Sequence, residues 1–363
     1  MPGWAASGRI AELDGWRGVS ILLVVAGHLP NARYSPLGLQ DEPYPILGML
    51  SEFGVDLFFV ISGFIVTRLA LSEREAVGRL SVRAFYVRRL LRIVPPFLVY
   101  LAFVQVVAST GAIPQSESRV LPAAAFACNL PGIECGWFTG HSWTLAYEMQ
   151  FYLLLPAVLA LGERRVGLAF ASIFLLLASL PVLGEFSGIG APASALALTA
   201  QGFLFICAGS VMAANEPVLV RLSASHNAAY VTCGAAVCAV AAMLALGSVE
   251  EPAGGAMHLM LALNKAVLAA SIAWLVGNSL YRESWVTTAL RTRSLRFIGL
   301  LSYSLYLWQQ LFSAHRSLYV AESWLLFSPT MVLCAVASYY LVERPCARLA
   351  RRRYAANRPV PVK

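Results

Sequence analysis

The sequence predicts an all-α, polytopic membrane protein of about ten transmembrane helices with both termini cytoplasmic, and three observations carry that expectation. Of 363 residues, 58% are hydrophobic and only 13% charged, where a soluble domain carries about 25% charged residues. Apolar stretches of about 20 residues, enough to cross the hydrocarbon core as a helix, recur along the whole chain. Arginines collect in every second loop between them. Mean hydropathy, at +0.67, agrees with lipid as the solvent.

The apolar stretches fall at about residues 13–29, 52–71, 90–109, 143–161, 166–183, 193–213, 228–246, 257–279, 297–312 and 323–342. The loop after the second carries Arg74, Arg79, Arg83, Arg88, Arg89 and Arg92. Arg164 and Arg165 follow the fourth, Arg221 the sixth, and Arg282, Arg291, Arg293 and Arg296 the eighth. The tail adds Arg344, Arg348, Arg351, Arg352, Arg353, Arg358 and Lys363. Twenty basic residues thus lie on one side, against Arg33, Arg119 and Arg316 on the other. Such an excess marks cytoplasmic loops. No linker divides the chain, so one membrane domain is expected over residues 1–345, with a basic cytoplasmic tail over residues 346–363.

The net charge of +8 does not point to nucleic acid, because the basic residues sit in short loops between apolar runs. No His/Cys cluster has metal-ligand spacing and no glycine-rich phosphate loop occurs, so neither a metal nor a bound cofactor is expected. Cys207, Cys233, Cys238 and Cys334 lie in apolar runs and read as small hydrophobes. Cys128 and Cys135 share the long outer loop at about residues 110–142, where an oxidising compartment would make them a disulfide; two free thiols are the other reading. Residues 7–17 are polar and of mixed charge, and no small-residue cleavage site follows the first apolar run, so no cleavable signal peptide is expected.

Ionisable residues inside the spans carry the chemistry. Each charge near mid-bilayer costs about 2.5–3.5 kcal/mol on insertion scales, so such groups usually face an interior cavity. Arg17 and His28 in the first span are eleven positions apart, three turns plus about 20°, which puts both on one face roughly 16 Å apart. Taken singly, Arg17 also reads as a snorkelling anchor and His28 as an interfacial histidine. Asp56 in the second span lies at a depth similar to His28, and the small Ser62-Gly63 pair admits a close helix neighbour. In the fourth span His141 and Glu148 are two turns apart on one face. Glu148 needs a proton or a partner, and so does Lys265 in the eighth span. The ninth span presents Ser302, Tyr303, Tyr306, Trp308 and Gln309, which suit either a cavity wall or helix-to-helix hydrogen bonding. Arg89 and Arg92 share a face just before Pro95-Pro96, where the third span should bend or restart. They read either as positive-inside anchors or, with Arg88, as a phosphate site, for which guanidinium geometry is suited.

These stretches together resemble the acyltransferase type 3 family of integral-membrane O-acyltransferases. The likeness runs in order through LDGWRGVSILLVVAGH with Arg17 and His28, then GVDLFFVISGFIVT at residues 54–67 and FYVRRLLRIVPP at residues 85–96. It continues through HSWTLAYEMQFYLLLP at residues 141–156, SYSLYLWQQ at residues 302–310 and VERP at residues 342–345. The resemblance implies acyl-CoA, acetyl-CoA by default, as a cytoplasmic co-substrate. It also implies a hydroxyl acceptor on the far side, a cell-envelope or exported glycan or a hydroxylated small molecule, and a bacterial inner-membrane location. Its arginines map to Arg17, Arg89 and Arg92 and its essential histidine to His28. Many members have histidine where this chain has Gln309, so a second imidazole would be His141 or His315. No appended hydrolase-like domain is expected.

Arg17, Arg88, Arg89 and Arg92 are expected to bind the donor; His28 is the general base; Glu148 or Asp56 orients it, as in triad logic. His141, Trp143, Ser302, Tyr303, Tyr306, Trp308 and Gln309 line the acceptor cavity. An acyl-histidine intermediate is the other covalent route. A transporter or flippase without covalent chemistry also accommodates buried charges. It does not account for a cytoplasmic arginine cluster aligned with a histidine three turns above an arginine.

Overall fold

A computed structural model describes residues 10–28, 45–162, 165–186, 191–247, 255–314 and 328–354. His315, Arg33, Arg164, Arg316, Arg358 and Lys363 lie outside the described residues. Those residues form helices and no strand. In chain order the helices are α1 (Ala11–His28), α2 (Pro45–Val77), α3 (Val82–Ser109), α4 (Val120–Ala124), α5 (Trp137–Gly140), α6 (Trp143–Gly162), α7 (Val166–Phe186) and α8 (Ala191–Ala214). There follow α9 (Glu216–Ser223), α10 (Ala228–Gly247), α11 (Gly255–Tyr281), α12 (Trp285–Leu290), α13 (Arg293–Phe312), α14 (Ser328–Ser338), a π-helical turn (Tyr339–Glu343) and α15 (Arg344–Tyr354).

Five described helical stretches are long and apolar enough to cross a membrane: Ile46–Val77, Val82–Ser109, Trp137–Gly162, Ala228–Leu246 and Leu259–Tyr281. A sixth arises if Gly202–Ala214 and Glu216–Ser223, bent by 80°, form one span. The shortfall from ten has a chemical cause in α1 and α13. Glu12, Asp14 and Arg17 share the 18 residues of α1, and the second half of α13 is the polar stretch from Ser302 to Gln310. α3 runs as one helix through Pro95 and Pro96, without the restart that the proline pair offered as one expectation.

The chain divides into two compact units. The first comprises residues 1–24, 45–68 and 158–302, and the second residues 25–44, 69–157 and 303–363. In the first unit, α7 packs on α8 and α10 on α11. Small residues set the closest approaches. A Cβ on Gly63 would stand 2.0 Å from the Ile206 carbonyl oxygen, and one on Gly209 would stand 2.0 Å from that of Val60. The two glycines thus form a reciprocal contact between α2 and α8, the close neighbour expected beside Ser62-Gly63. Thr67 Oγ1 donates to Ser210 Oγ at 2.9 Å one turn further on.

Glu12 and Asp14 are buried in this unit. Glu12 receives Arg291 Nε at 2.6 Å, and Arg291 also reaches Glu283 at 2.9 Å. Bonds from Glu283 and Glu12 hold the Arg291 guanidinium above its usual range. Arg68 pairs with Glu216 at 2.8 Å, and the Tyr281 hydroxyl donates to the same carboxylate.

The second unit is built around α3. Phe97, Tyr100, Leu101 and Val104 pack with Phe138, Leu145, Leu307, Trp308 and Leu311 in one apolar core, to which α14 adds Met331 and Ala335. The π turn and α15 also lie against α3.

Candidate active site

Within the second unit, α3 and α6 run antiparallel. Phe85 and Tyr86 near the start of α3 meet Tyr152 and Leu153 well along α6. Tyr100, further along α3, meets Phe138 and His141 just before α6 begins. α13 runs with α3: Tyr303 donates to the Ile93 carbonyl at 2.7 Å, and Trp308 packs on Tyr100 and Phe103. Arg89 to Tyr100 and His141 to Tyr152 are each eleven residues, about 16 Å of helix. The unit therefore carries polar groups at two levels, one of arginines and one of imidazoles.

At the arginine level, the Arg89 guanidinium lies 5.8 Å from the Phe85 ring centroid and 5.6 Å from that of Tyr152. Tyr152, Arg92, Arg88 and Glu148 are near enough to act on it electrostatically. Glu148 accepts the Tyr152 hydroxyl at 3.1 Å. Arg88 is engaged by Glu73, whose other oxygen accepts the Ser81 backbone N–H. Arg88 thereby clamps the turn between α2 and α3. Glu343, Glu148, Tyr152 and Arg92 all act on Tyr303. Glu343, buried in the π turn, accepts the Ser304 hydroxyl at 2.9 Å. Two carboxylates thus accompany two guanidiniums, in keeping with the rule that buried charges are paired.

At the imidazole level, the His28 ring stands edge-on to Trp137 with centroids 6.4 Å apart. His28 is also close enough to act electrostatically on His141. Trp137 is tightly held. Its backbone N–H donates to Glu117 at 2.7 Å and its Nε1 to the Gln310 carbonyl at 3.3 Å, while Gln310 Nε2 returns a bond to the Trp137 carbonyl at 2.8 Å. Gly136 precedes it with φ +70°, and a Cβ there would lie 2.5 Å from the Glu117 backbone. A disulfide joins Cys128 and Cys135, and Cys128 Sγ accepts Ser142 Oγ at 3.1 Å. Both ends of the segment bearing Trp137 and His141 are therefore tied to that bridge.

His141 is 5% exposed, with Tyr100 and Tyr306 ring centroids at 5.3 and 5.5 Å. Its carbonyl accepts the Tyr306 hydroxyl at 2.9 Å, and that hydroxyl accepts Thr144 Oγ1 at 2.8 Å. Gln309 donates to Gln310 Oε1 at 3.1 Å and receives Ser313. Trp143, by contrast, is 38% exposed.

Glu148 is seven residues from His141, about 10 Å along the helix, and its described partners belong to the arginine level. The remaining expected residues lie in the first unit. Asp56 has Lys265 and Glu52 within electrostatic reach. Arg17 is half-buried on α1, and Ser302 Oγ is buried without a hydrogen-bond partner among the described residues. α1 is a single helix from Ala11 to His28, so Arg17 and His28 do share one of its faces. Tyr100, Trp137, Tyr152, Gln310 and Glu343 went unassigned on sequence grounds. Only Tyr152, one turn beyond Glu148, left a signal in the spacing. No group of three or more potential metal ligands occurs among the described residues.

A family model described as an acyltransferase domain (acyltransferase 3) matches residues 10–343. A peptidoglycan O-acetyltransferase of Listeria monocytogenes is 29% identical over 166 residues, which is 41% of this chain and 24% of that protein. A candidate O-acetyltransferase of Staphylococcus aureus (strain COL) is 28% identical over 165 residues, again 41% of this chain and 24% of the relative. An uncharacterised protein of Haemophilus influenzae is 34% identical over 124 residues, 31% of this chain and 50% of the relative. The chain therefore matches only a quarter to a half of the length of these relatives. No solved structure matches it.

Proposed function

Because this chain belongs to the acyltransferase 3 family, we propose that it is a membrane O-acyltransferase taking an acyl group, acetyl by default, from cytoplasmic acyl-CoA. The acceptor is a hydroxyl on the other side of a bacterial inner membrane. The observation that carries this reading is the pair of levels in the second unit. Arg89 stands about 16 Å of helix, and Arg92 about 12 Å, from the level of His141 and its neighbour His28. A coenzyme A thioester has the same polarity, with phosphates at one end of an extended arm and a reactive carbonyl at the other.

In this scheme Arg89 and Arg92 hold the phosphates, with Glu148, Tyr152 and Tyr303 fixing the guanidinium planes for bidentate contact. Arg88 supports them through the Glu73 clamp. Arg17 belongs to the same donor path through α1, whose one face carries both it and His28. His28 takes the proton of the attacking hydroxyl, a contribution of about 10²–10⁴-fold. Glu148 serves the arginines. The relative named as a peptidoglycan O-acetyltransferase supports a cell-envelope glycan as the acceptor.

The test uses purified protein in vesicles supplied with labelled acetyl-CoA. Label should move onto a glycan acceptor on the opposite face. His28→Ala should lose that transfer while remaining in the membrane. Label that crosses without becoming covalently attached would instead identify a transporter.

A further inference from the structure

His141 Nδ1 and Nε2 are both buried without a hydrogen-bond partner among the described residues, and so is Trp308 Nε1. The two rings pack on the same side chain, Tyr100, with centroids at 5.3 and 5.6 Å. The nearby hydroxyls are committed elsewhere: Tyr100 OH donates to the Phe138 carbonyl at 2.6 Å, and Tyr306 OH donates to the His141 carbonyl. A buried polar atom left unpaired is destabilising, because it gives up its bonds to water and gains none. Three such atoms in one aromatic cluster mark a place where a ligand, not the protein, completes the bonding.

Two roles are open to an imidazole here. A general base must hold the proton it takes, and in known triads a carboxylate bonded to the ring stabilises that charge. Among the described residues no carboxylate bonds His141. A neutral imidazole still offers one N–H donor, and neutral histidine can polarise a carbonyl. The His141 backbone is fixed by Thr144 and Tyr306, so the ring needs little reorganisation to act as a donor.

We propose that His141 is the oxyanion donor of the transfer step: its ring N–H binds the thioester carbonyl oxygen while His28 serves the acceptor hydroxyl. The assignment rests on the acyltransfer reading. The hydroxyl oxygen attacks the carbonyl carbon and its proton passes to His28. The carbonyl electron pair moves onto the oxygen held by His141. On collapse the C–S bond breaks, the ester forms, and the coenzyme A thiolate takes the proton back from His28. Trp308 Nε1 supplies a second buried N–H in the same aromatic cluster.

The experiment follows thiol release from acetyl-CoA by reconstituted protein, with the wall-glycan disaccharide of N-acetylglucosamine and N-acetylmuramic acid as acceptor probe. His141→Phe keeps a ring of similar size and removes both nitrogens. It should lower kcat about 10²–10³-fold, the usual loss for one oxyanion donor, with KM for either substrate little changed. His141→Gln restores an N–H and should recover part of that rate without altering the pH profile. Full activity in His141→Phe, or a raised acceptor KM with kcat kept, overturns the assignment. So does a His141→Gln variant as inactive as His28→Ala, which would make His141 a base. If the Phe variant does not fold, as judged by thermal unfolding, the rate and pH profile of the Gln variant decide. Wild-type protein that releases no thiol in response to the disaccharide counts against the acyltransfer reading itself, not against this assignment alone.

Discussion

Arg89 is held by its plane as well as by its charge, lying over both Phe85 and Tyr152 with Glu148 bonded to the Tyr152 hydroxyl. Lysine keeps the charge but has no flat face to stack and no fork to grip a phosphate. Arg89→Lys should therefore raise KM for acetyl-CoA about tenfold, equivalent to about 1.4 kcal/mol, with kcat nearly intact. An unchanged KM would remove Arg89 from the donor site. Glu148→Gln should show the same signature, since its described partners are at the arginine level. A change in the pH profile of kcat would return Glu148 to the histidines. The sequence left these two roles unresolved for a geometric reason. His141 lies seven residues before Glu148 and Tyr152 four after it, so a single helical face points toward both neighbours. Only the antiparallel placement of α3 against α6 separates them. The nearness of Lys265 to Asp56 was equally out of reach, because residues 56 and 265 are brought within electrostatic reach by packing between distant helices and not by any local pattern.

At the scale of elements, apolar runs located the long helices but not the short α4, α5, α9, α12 and α15, and the Ser62-Gly63 pair predicted a place where helices meet. Gly63 and Gly209 carry the sharpest consequence. Each faces a backbone carbonyl that cannot rotate away, so the helices themselves must separate to admit a methyl group. Gly209→Ala should cost about 1–3 kcal/mol, the range for overpacking, and lower the unfolding temperature of the purified protein. Gly234→Ala in α10 is the control, because a Cβ there meets nothing within 4 Å. Equal melting of the two variants would contradict the α2–α8 contact. A second element-scale prediction concerns the disulfide. It closes a loop of sequence separation 7, worth about 2.5 kcal/mol by loop-closure entropy, and it anchors the segment from Trp137 to His141. Cys128→Ser/Cys135→Ser should lower both thermal stability and transfer rate; full activity after this change would show that Trp137 is held by Glu117 and Gln310 alone. Less legible were α1 and α13, whose polar residues weaken any hydropathy signal. Their close packing explains the tolerance: Gly299 sits against the Asp14 carbonyl, and Arg291 bonds Glu12. The π turn had no sequence signal beyond the Val342–Pro345 stretch, since one extra backbone residue per turn leaves composition unchanged.

For the molecule as a whole, orientation follows from where the arginines lie, and it decides whether donor and acceptor can be on opposite sides. Arg89 and Arg92 belong to the basic set that should be cytoplasmic, together with Arg221, Arg282, Arg291 and the arginines of α15. α15 exposes Arg351, Arg352 and Arg353 while burying Ala350 against the second unit, as a basic helix at a membrane surface would. Cys128 and Cys135 should then face the opposite, oxidising side, which suits a disulfide. Ten crossings, the number the sequence predicts, would put both termini with the arginines. Fusing alkaline phosphatase after residue 354 should give an inactive reporter, because that enzyme needs an oxidising compartment, whereas fluorescent protein at the same place should mature. Phosphatase inserted at Leu130, an exposed position within the disulfide loop, should be active. The reverse pattern would place the guanidiniums outside, away from cytoplasmic acyl-CoA. The two levels of the second unit would then run opposite to the direction in which an acyl group has to travel.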